Sequence, residues 1–249
     1  MYKKFISLNK TACARLYRYL PQAKKRPLVV YEKVVTEYLN AMPHKIVLDV
    51  GGGEHCPFAL QKDSNQQGKI IAVDILEEKI RGNRDVDEKL IANIMQPLPF
   101  KENQIDFIVS RSVLEHLKDL EAFIVESKRV LKSKGYCIHV FPSKFAPFAI
   151  INQLLPQGLS KKLLFFVRPE VKHCGGFPAY YSKCFYSSIK ALFQKYGYEI
   201  VTLHLGYFQA SYFSFFLPLF LMVAVYEMLV QFIRAKNLCA YILIVAKKL

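Results

Sequence analysis

The sequence predicts an α/β chain, a doubly wound parallel sheet with helices on both faces. Three observations predict it. The apolar run KIVLDV (45–50) opens directly onto three glycines, Gly51, Gly52 and Gly53, where a backbone without Cβ atoms can turn sharply and leave its N–H groups open. A second β-branched run, KIIAV (69–73), ends in Asp74, 25 residues beyond Asp49, the separation of a β-α-β unit. Apolar strand patterns then alternate with helical ones as far as residue 141, the rhythm of a parallel sheet.

Taken in order, residues 1–27 are basic and aromatic and predict a surface helix, with Phe5, Ile6, Leu16, Tyr17, Tyr19 and Leu20 on its apolar side. Residues 28–41 predict a helix with Val30, Val34, Val35 and Leu39 inward. The first strand is Ile46–Val50. A helix starts over 57–61, NQQG (65–68) turns the chain, and the second strand runs to Asp74. Glu88–Ile91 is short and apolar enough for a third strand, and 105–110 for a fourth. A helix over 119–131 has Leu120, Phe123, Ile124, Val130 and Leu131 at helical spacing, and Gly135 is expected to cap it. The fifth strand spans 136–141. Aromatic, proline-containing sequence over 143–181 is expected to form a lid and acceptor insert at the ligand-binding edge of the sheet. A helix over 182–196, ended by Gly197, leads into a sixth strand over 198–204. The remainder holds an apolar insert, 207–236, and a seventh strand over 239–246.

A glycine turn followed by an acid suits either a nicotinamide dinucleotide or S-adenosylmethionine. The dinucleotide fingerprint needs a third glycine three residues after Gly53, where Cys56 stands, and this disfavours a pyrophosphate. Four ordered motifs then carry a resemblance: LDVGGG (48–53), Val73-Asp74, ANIMQPLPF (92–100) leading into NQIDFIVSRSVLEHL (103–117), and VLKSKG (130–135). Over residues 45–142 the chain resembles the class I S-adenosylmethionine-dependent methyltransferases, in particular the bacterial type 11-like group. The resemblance implies a Rossmann-like, seven-stranded sheet whose last strand is antiparallel and lies beside the sixth. It also implies S-adenosylmethionine as cofactor. Asp49 would order the turn, and Gly51, Gly52 and Gly53 would approach the donor's ribose and amino-acid portion. Asp74 would take the ribose hydroxyls, Ile75 would pack on adenine, and Ser110 would meet the methionine moiety. Asn93, with Ile94 beside it, stands where the family has an acid facing the adenine amino group. His55 replaces a common third glycine.

For the acceptor, His116 in LEHL and His173 in the lid are the candidate general bases, with Tyr180 nearby. His173, Cys174 and Cys184 offer three thiol or imidazole ligands without a fourth, so no metal site is expected. The six cysteines hold no CxxC pair and are expected to be reduced thiols, and no secretory leader is recognised, so a cytoplasmic location is expected.

Charge separates the core from its surroundings. The net +15 divides into +8 over 1–45, −2 over 46–143 and +9 over 144–249, so the basic character lies outside the cofactor core and suits an anionic partner. Residues 212–233 carry one charge, Glu227, in 22 residues. Pro218 and the spacing of Glu227, Gln231 and Arg234 favour an in-plane amphipathic segment over a crossing one. Burial in a homodimer interface or against the lid stands as the alternative. The expectation is one domain, 1–249: N-terminal helices (1–44), cofactor core (45–142), lid (143–181) and C-terminal part (182–249). Its expected activity is methylation, O-methylation favoured, of a small amphiphilic, lipid-linked or saccharide acceptor. Contact with an anionic membrane would run through 1–27 and 207–236, on the inner face of the plasma membrane. GFPAYY (176–181) resembles an element of methyltransferases of bacterial surface-glycan assembly. A nucleic-acid methyltransferase is disfavoured, because SRSV (110–113) stands where base-methylating enzymes carry a Pro-Pro-aromatic element. A non-catalytic module retaining the fold is the third possibility.

Overall fold

A computed structural model describes residues 2–20, 27–59, 68–167 and 177–249. Seven strands form one sheet: β1 (Ile46–Val50), β2 (Lys69–Asp74), β3 (Glu88–Ile91), β4 (Ile105–Arg111), β5 (Leu131–Pro142), β6 (Tyr198–Gly206) and β7 (Tyr241–Lys248), in the order β3-β2-β1-β4-β5-β7-β6. Pairing is parallel from β3 through β5, whereas β7 is antiparallel to both β5 and β6. The expected antiparallel seventh strand is therefore present, between the fifth and the sixth.

The alternation of side chains along each strand builds two cores. On one face Val47, Ile70, Phe107, Val109, Ile138, Val140, Leu243 and Val245 are covered by α2 (Pro27–Ala41) through Tyr31, Val35 and Leu39. On the other, Leu48, Val50, Ile71, Val73, Ile108, Ile242 and Ile244 are covered by α4 (Leu120–Val130) and α7 (Tyr186–Lys195) through Phe123, Ile124, Ile189 and Phe193. Strands apolar on both faces are what a sheet sandwiched between helix layers requires. Asp119 caps α4 by accepting from the Ala122 N–H at 3.0 Å, as a side chain at this position can.

Several expected boundaries move, among them β7, from 239–246 to 241–248. Gly135 does not cap α4. The helix ends at Val130 and Gly135 lies inside β5, where a Cβ would sit 2.9 Å from the carbonyl oxygens of Asp106 and Lys132 and from Leu131 Cγ. Its role is close strand packing beside the irregular β4–β5 register at Ile105. The helix expected from 182 begins at Tyr186, because Tyr181 and Lys183 both take positive φ, 51° and 57°, which no right-handed helix admits. Gly197, at φ 73°, ends it as expected. Of the helix expected from 57, residues 57–59 make turns and the rest lies outside the described residues.

Helix α1 (Tyr2–Tyr17) does not cover the sheet. It packs against a satellite core of Ala210, Phe213, Phe220, Val223 and Ala224 through Cys13, and the 16-residue α8 (Leu217–Phe232) supplies three of those residues. Among the described residues no helix is long and apolar enough to cross a membrane. The remaining helices are α3 (Glu77–Gly82), α5 (Pro147–Leu154) and α6 (Gln157–Val167). Since β5 and β6 run parallel, both insertions, 143–185 and 207–240, leave from the same edge as the glycine turn, where Pro142 and Gly206 each pair with Tyr241.

Phe193 is fully buried, with ring centroids 5.3 Å from Tyr198 and 6.2 Å from His139. Phe193→Ala should lower unfolding stability by about 3–5 kcal/mol through the cavity it leaves, measured by urea denaturation.

Candidate functional site

The tip of β1 is shaped by what a side chain there would hit. Gly51 has φ 70° and a Cβ on it would fall 2.4 Å from Val113 Cγ2; a Cβ on Gly52 would fall 2.8 Å from Ala72 Cβ and 3.1 Å from Asp49 Oδ2. The turn is also pinned by hydrogen bonds. The Gly51 and Gly52 N–H groups donate to the Val73 carbonyl at 2.7 and 3.3 Å, and the Gly53 N–H donates to Asp74 Oδ2 at 3.1 Å. Asp74 Oδ1 accepts from the Leu76 N–H at 2.9 Å. The acid at the end of β2 is thus anchored beside the glycine corner, with lone pairs on both oxygens still available.

Beneath the turn, Asp49 is buried, and burial pushes its carboxyl up to about 7 against a lowering side-chain bond from Cys56. Asn83 does what the motif did not announce. Fully buried, it donates to the Gly52 and Gly53 carbonyls at 3.2 and 3.1 Å and accepts from the Asp85 N–H at 2.9 Å. Asp85 in turn accepts from the Cys56 N–H at 2.9 Å. A lone asparagine in a polar stretch after α3 gives no local signal of this bracing.

His55 does not crowd the turn. Its side chain is largely exposed, 3.5 Å from Asp85 Oδ2. Ile75 is exposed at the β2 tip, and with Gly51 and Glu54 it leaves an open shelf. Asn93 accepts the Met95 N–H at 3.0 Å in a local turn, so its amide group is fixed by its own backbone. The Ile94 side chain is buried in the main core rather than projecting at the rim. Ser110 stands near the end of β4, as expected, with its side chain turned into the packing of the sheet. Its hydroxyl is fully enclosed, 2.8 Å from His139 Nδ1, because it shares the inner face of β4 with Ile108.

Past β4, residues Leu114–His116 form a 3₁₀ turn. His116 Nδ1 lies 2.9 Å from the Pro178 carbonyl oxygen; a carbonyl only accepts, so the ring proton is on Nδ1 and Nε2 carries the lone pair. Burial holds the imidazole below its ordinary value, hence neutral at pH 7. The neighbouring Glu115 went unsuspected. It is buried, pushed up to about 8 by desolvation, and its Oε2 meets no hydrogen-bond partner among the described residues. Its backbone carbonyl accepts from the Tyr180 and Tyr181 N–H groups at 2.8 and 3.0 Å. LEHL and GFPAYY, 62 residues apart, are therefore stitched together. Phe177 lies 6.0 Å from the His116 ring, Lys118 Nζ sits 5.4 Å over the Tyr180 ring, and Tyr212 and Tyr241 share a hydroxyl contact of 3.1 Å. His173 and Cys174 lie outside the described residues. Among the described residues no three His, Cys, Asp or Glu side chains gather as a metal site.

The sheet that carries this glycine turn has counterparts among known proteins. A family model described as a methyltransferase domain matches residues 48–139. An uncharacterised protein of Methanocaldococcus jannaschii is 37% identical over 99 residues, which are 40% of this chain and 41% of that protein; the chain spans less than half the length of the curated relatives it matches. Among solved structures, a geranyl diphosphate methyltransferase in complex with GPP and sinefungin superposes with a TM-score of 0.59 at 13% identity, over 89% of this chain and 78% of that one. A putative sarcosine dimethylglycine methyltransferase from Galdieria sulphuraria gives 0.54 at 15% identity, over 89% and 86%. The fold is that of the class I methyltransferases.

Glu115 keeps its proton in the folded state up to about pH 8, while its ordinary value is 4.5. The unfolded chain therefore binds fewer protons across that interval, and stability falls as pH rises, by up to about 1.4 kcal/mol per pH unit. In Glu115→Gln that contribution should vanish, flattening the fall between pH 5 and 8 in denaturant midpoints.

Proposed function

We propose that this chain, built on a methyltransferase domain, binds S-adenosylmethionine on the glycine shelf and methylates an amphiphilic or saccharide acceptor, O-methylation favoured. One observation carries the donor assignment: the turn at Gly51–Gly53, which leaves no room for a Cβ at Gly51 or Gly52, lies hydrogen-bonded through the Gly53 N–H to a carboxylate at the adjoining strand tip. That pairing offers a nucleoside what it needs, a flat backbone approach on one side and an acceptor for vicinal hydroxyls on the other. Asp74 would hold the ribose, the turn would face the amino-acid portion, and the exposed Ile75 would pack on the base. The buried Asp49, next to the turn, adds a proton-dependent charge beneath it.

When bound, S-adenosylmethionine supplies an electrophilic methyl group on a sulfonium. The chain's own part is to orient the acceptor, exclude water and move a proton. His116, with its Nδ1 proton directed at the Pro178 carbonyl, presents Nε2 as a base near pH 7, which suits an acceptor hydroxyl. Phe177, its ring 6.0 Å from that base, and Tyr180, whose N–H donates to the Glu115 carbonyl, support an acceptor with an apolar or sugar-like body. The geranyl diphosphate of the structurally similar enzyme, an apolar chain with a charged head, has the same amphiphilic character.

Incubating the protein with tritiated S-adenosylmethionine and a lysate of the source cell, then separating lipid, polysaccharide, RNA and protein, tests the acceptor class. Label should appear in lipid or polysaccharide; label confined to RNA or protein overturns it. In Asp74→Ala, donor affinity by calorimetry should fall about 10- to 100-fold with the circular dichroism retained, the loss expected for hydrogen bonds to a charged acceptor. Unchanged affinity would contradict the pocket. His116→Gln should lower kcat by about 100-fold or more and remove the rise in rate with pH that is expected of the wild type below pH 6.5, read from a pH profile at saturating donor.

A further inference from the structure

The apolar segment carries its polarity the wrong way round for a surface helix. In α8 the one acid, Glu227, points inward. It is 1% exposed, accepts the Gln209 N–H at 2.7 Å, and is pushed up to about 7 by burial. The polar stripe of Glu227, Gln231 and Arg234 expected on the surface is thus split, with its acid in the satellite core. What α8 presents outward is Leu221, Met222, Val225, Met228, Leu229 and Phe232, at helical spacing, with Met222 64% and Phe232 84% exposed. Helix α1 extends this face: Phe5 and Leu8 are exposed, the Phe5 ring lies 6.5 Å from Phe216, and Asn9 Oδ1 accepts the Leu217 N–H at 2.8 Å. A contiguous apolar face of this kind marks an interaction surface.

Charge selects the occupant. The chain has no acidic residue before Glu32 but eight Lys and Arg in that stretch, of which Lys4, Arg15 and Arg18 are exposed on or just after α1. At the far end of α8, Arg234 and Lys236 are exposed as well. A second copy would bring these cations against their own equivalents in a chain of net charge +15; an anionic phospholipid surface neutralises them while accepting the apolar side chains. The length agrees. Sixteen residues rise about 24 Å, short of the roughly 30 Å hydrocarbon core, so the helix can lie in the interface but not cross it.

We propose that the outer face of α8, with the adjoining end of α1, docks in the interfacial layer of an anionic phospholipid membrane. Because the segment holding α8 leaves the sheet at the same edge as the glycine turn, docking holds the acceptor side of the molecule near the bilayer. This inference goes beyond donor binding, and its readout is independent of transfer activity.

The test is flotation of the full chain with phosphatidylcholine vesicles, with and without phosphatidylglycerol. The wild type should float with the anionic vesicles, less with the neutral ones, and lose binding as salt is raised. Met222→Glu with Leu229→Glu, both at exposed positions, should weaken partitioning about 30-fold or more. Separately, Arg15→Glu with Arg18→Glu should abolish the preference for anionic lipid. A wild type that stays with the unbound fraction overturns the proposal, as does flotation unaffected by both variants. So does a dimer in light scattering that the α8 variant dissociates while no vesicle binding occurs, since the face would then belong to a second copy. Near-ultraviolet circular dichroism confirms that each variant is folded.

Discussion

Everything at the ligand-binding edge depends on how closely two strand tips can approach. The Val73 carbonyl takes the N–H groups of Gly51 and Gly52, and the carboxylate one residue further along β2 takes the N–H of Gly53. No side chain fits in that space, since a single Cβ on Gly51 or Gly52 would fall 2.8 Å or less from a neighbouring carbon. The corner is consequently made of backbone and one acid, with a buried asparagine holding the carbonyls from below. Such a corner is rigid without being filled, which is the condition for binding a flat polar ligand against the main chain.

The buried ionisable groups follow a common pattern. Asp49, Glu115 and Glu227 are each enclosed, and each is pushed toward the neutral form by desolvation. They occupy different layers: beneath the turn, beside the candidate base, and inside the satellite core under α8. Among the described residues Asp49 and Glu227 have no cation at ion-pair distance, and Glu115 Oε1 lies 3.7 Å from His116 Nε2 of an imidazole held neutral by burial. Their cost is therefore relieved by protonation and by hydrogen bonds, from the Cys56 side chain to Asp49 and from backbone N–H groups to Glu227. An acid with a cation at hydrogen-bond distance behaves otherwise. Glu126, for example, is held below its ordinary range mainly by the hydrogen bond from Arg129.

Local pattern was enough to read most of this molecule. All seven strands lie within a few residues of where apolar runs and turns place them, most plainly the central ones, whose burial on both faces leaves a continuous β-branched signature. The glycine corner and Asp74 were likewise legible, being defined by short spacings along the chain. What escaped was set by partners distant in sequence. Gly135 is a packing residue rather than a cap because Asp106, on the neighbouring strand, joins Leu131 and Lys132 of its own strand in leaving no room for a side chain. Ser110 sits at the correct strand end, yet the side of β4 it faces is decided by His139. Glu115 and Asn83 are invisible for the same reason, since their importance comes from Tyr180, Tyr181 and the carbonyls of the turn. Glu227 shows the limit of periodicity: Arg234 of the expected stripe falls past the end of α8 at φ 54°, and spacing alone does not say which face of the helix meets the protein.

The placement of β7 bears on how the molecule comes to exist. Residues 241–248 form the wedge between β5 and β6, so during synthesis the chain must expose one flank of β5, and leave β6 without a neighbour, until that segment has emerged. Both insertions are moored to Tyr241, through its pairing with Pro142 and with Gly206. The half-made protein would therefore own its glycine corner early and its acceptor side late. A nascent chain in that state presents an unpaired strand flank together with the apolar helix α8, a combination that favours capture by a chaperone or a bilayer over free diffusion.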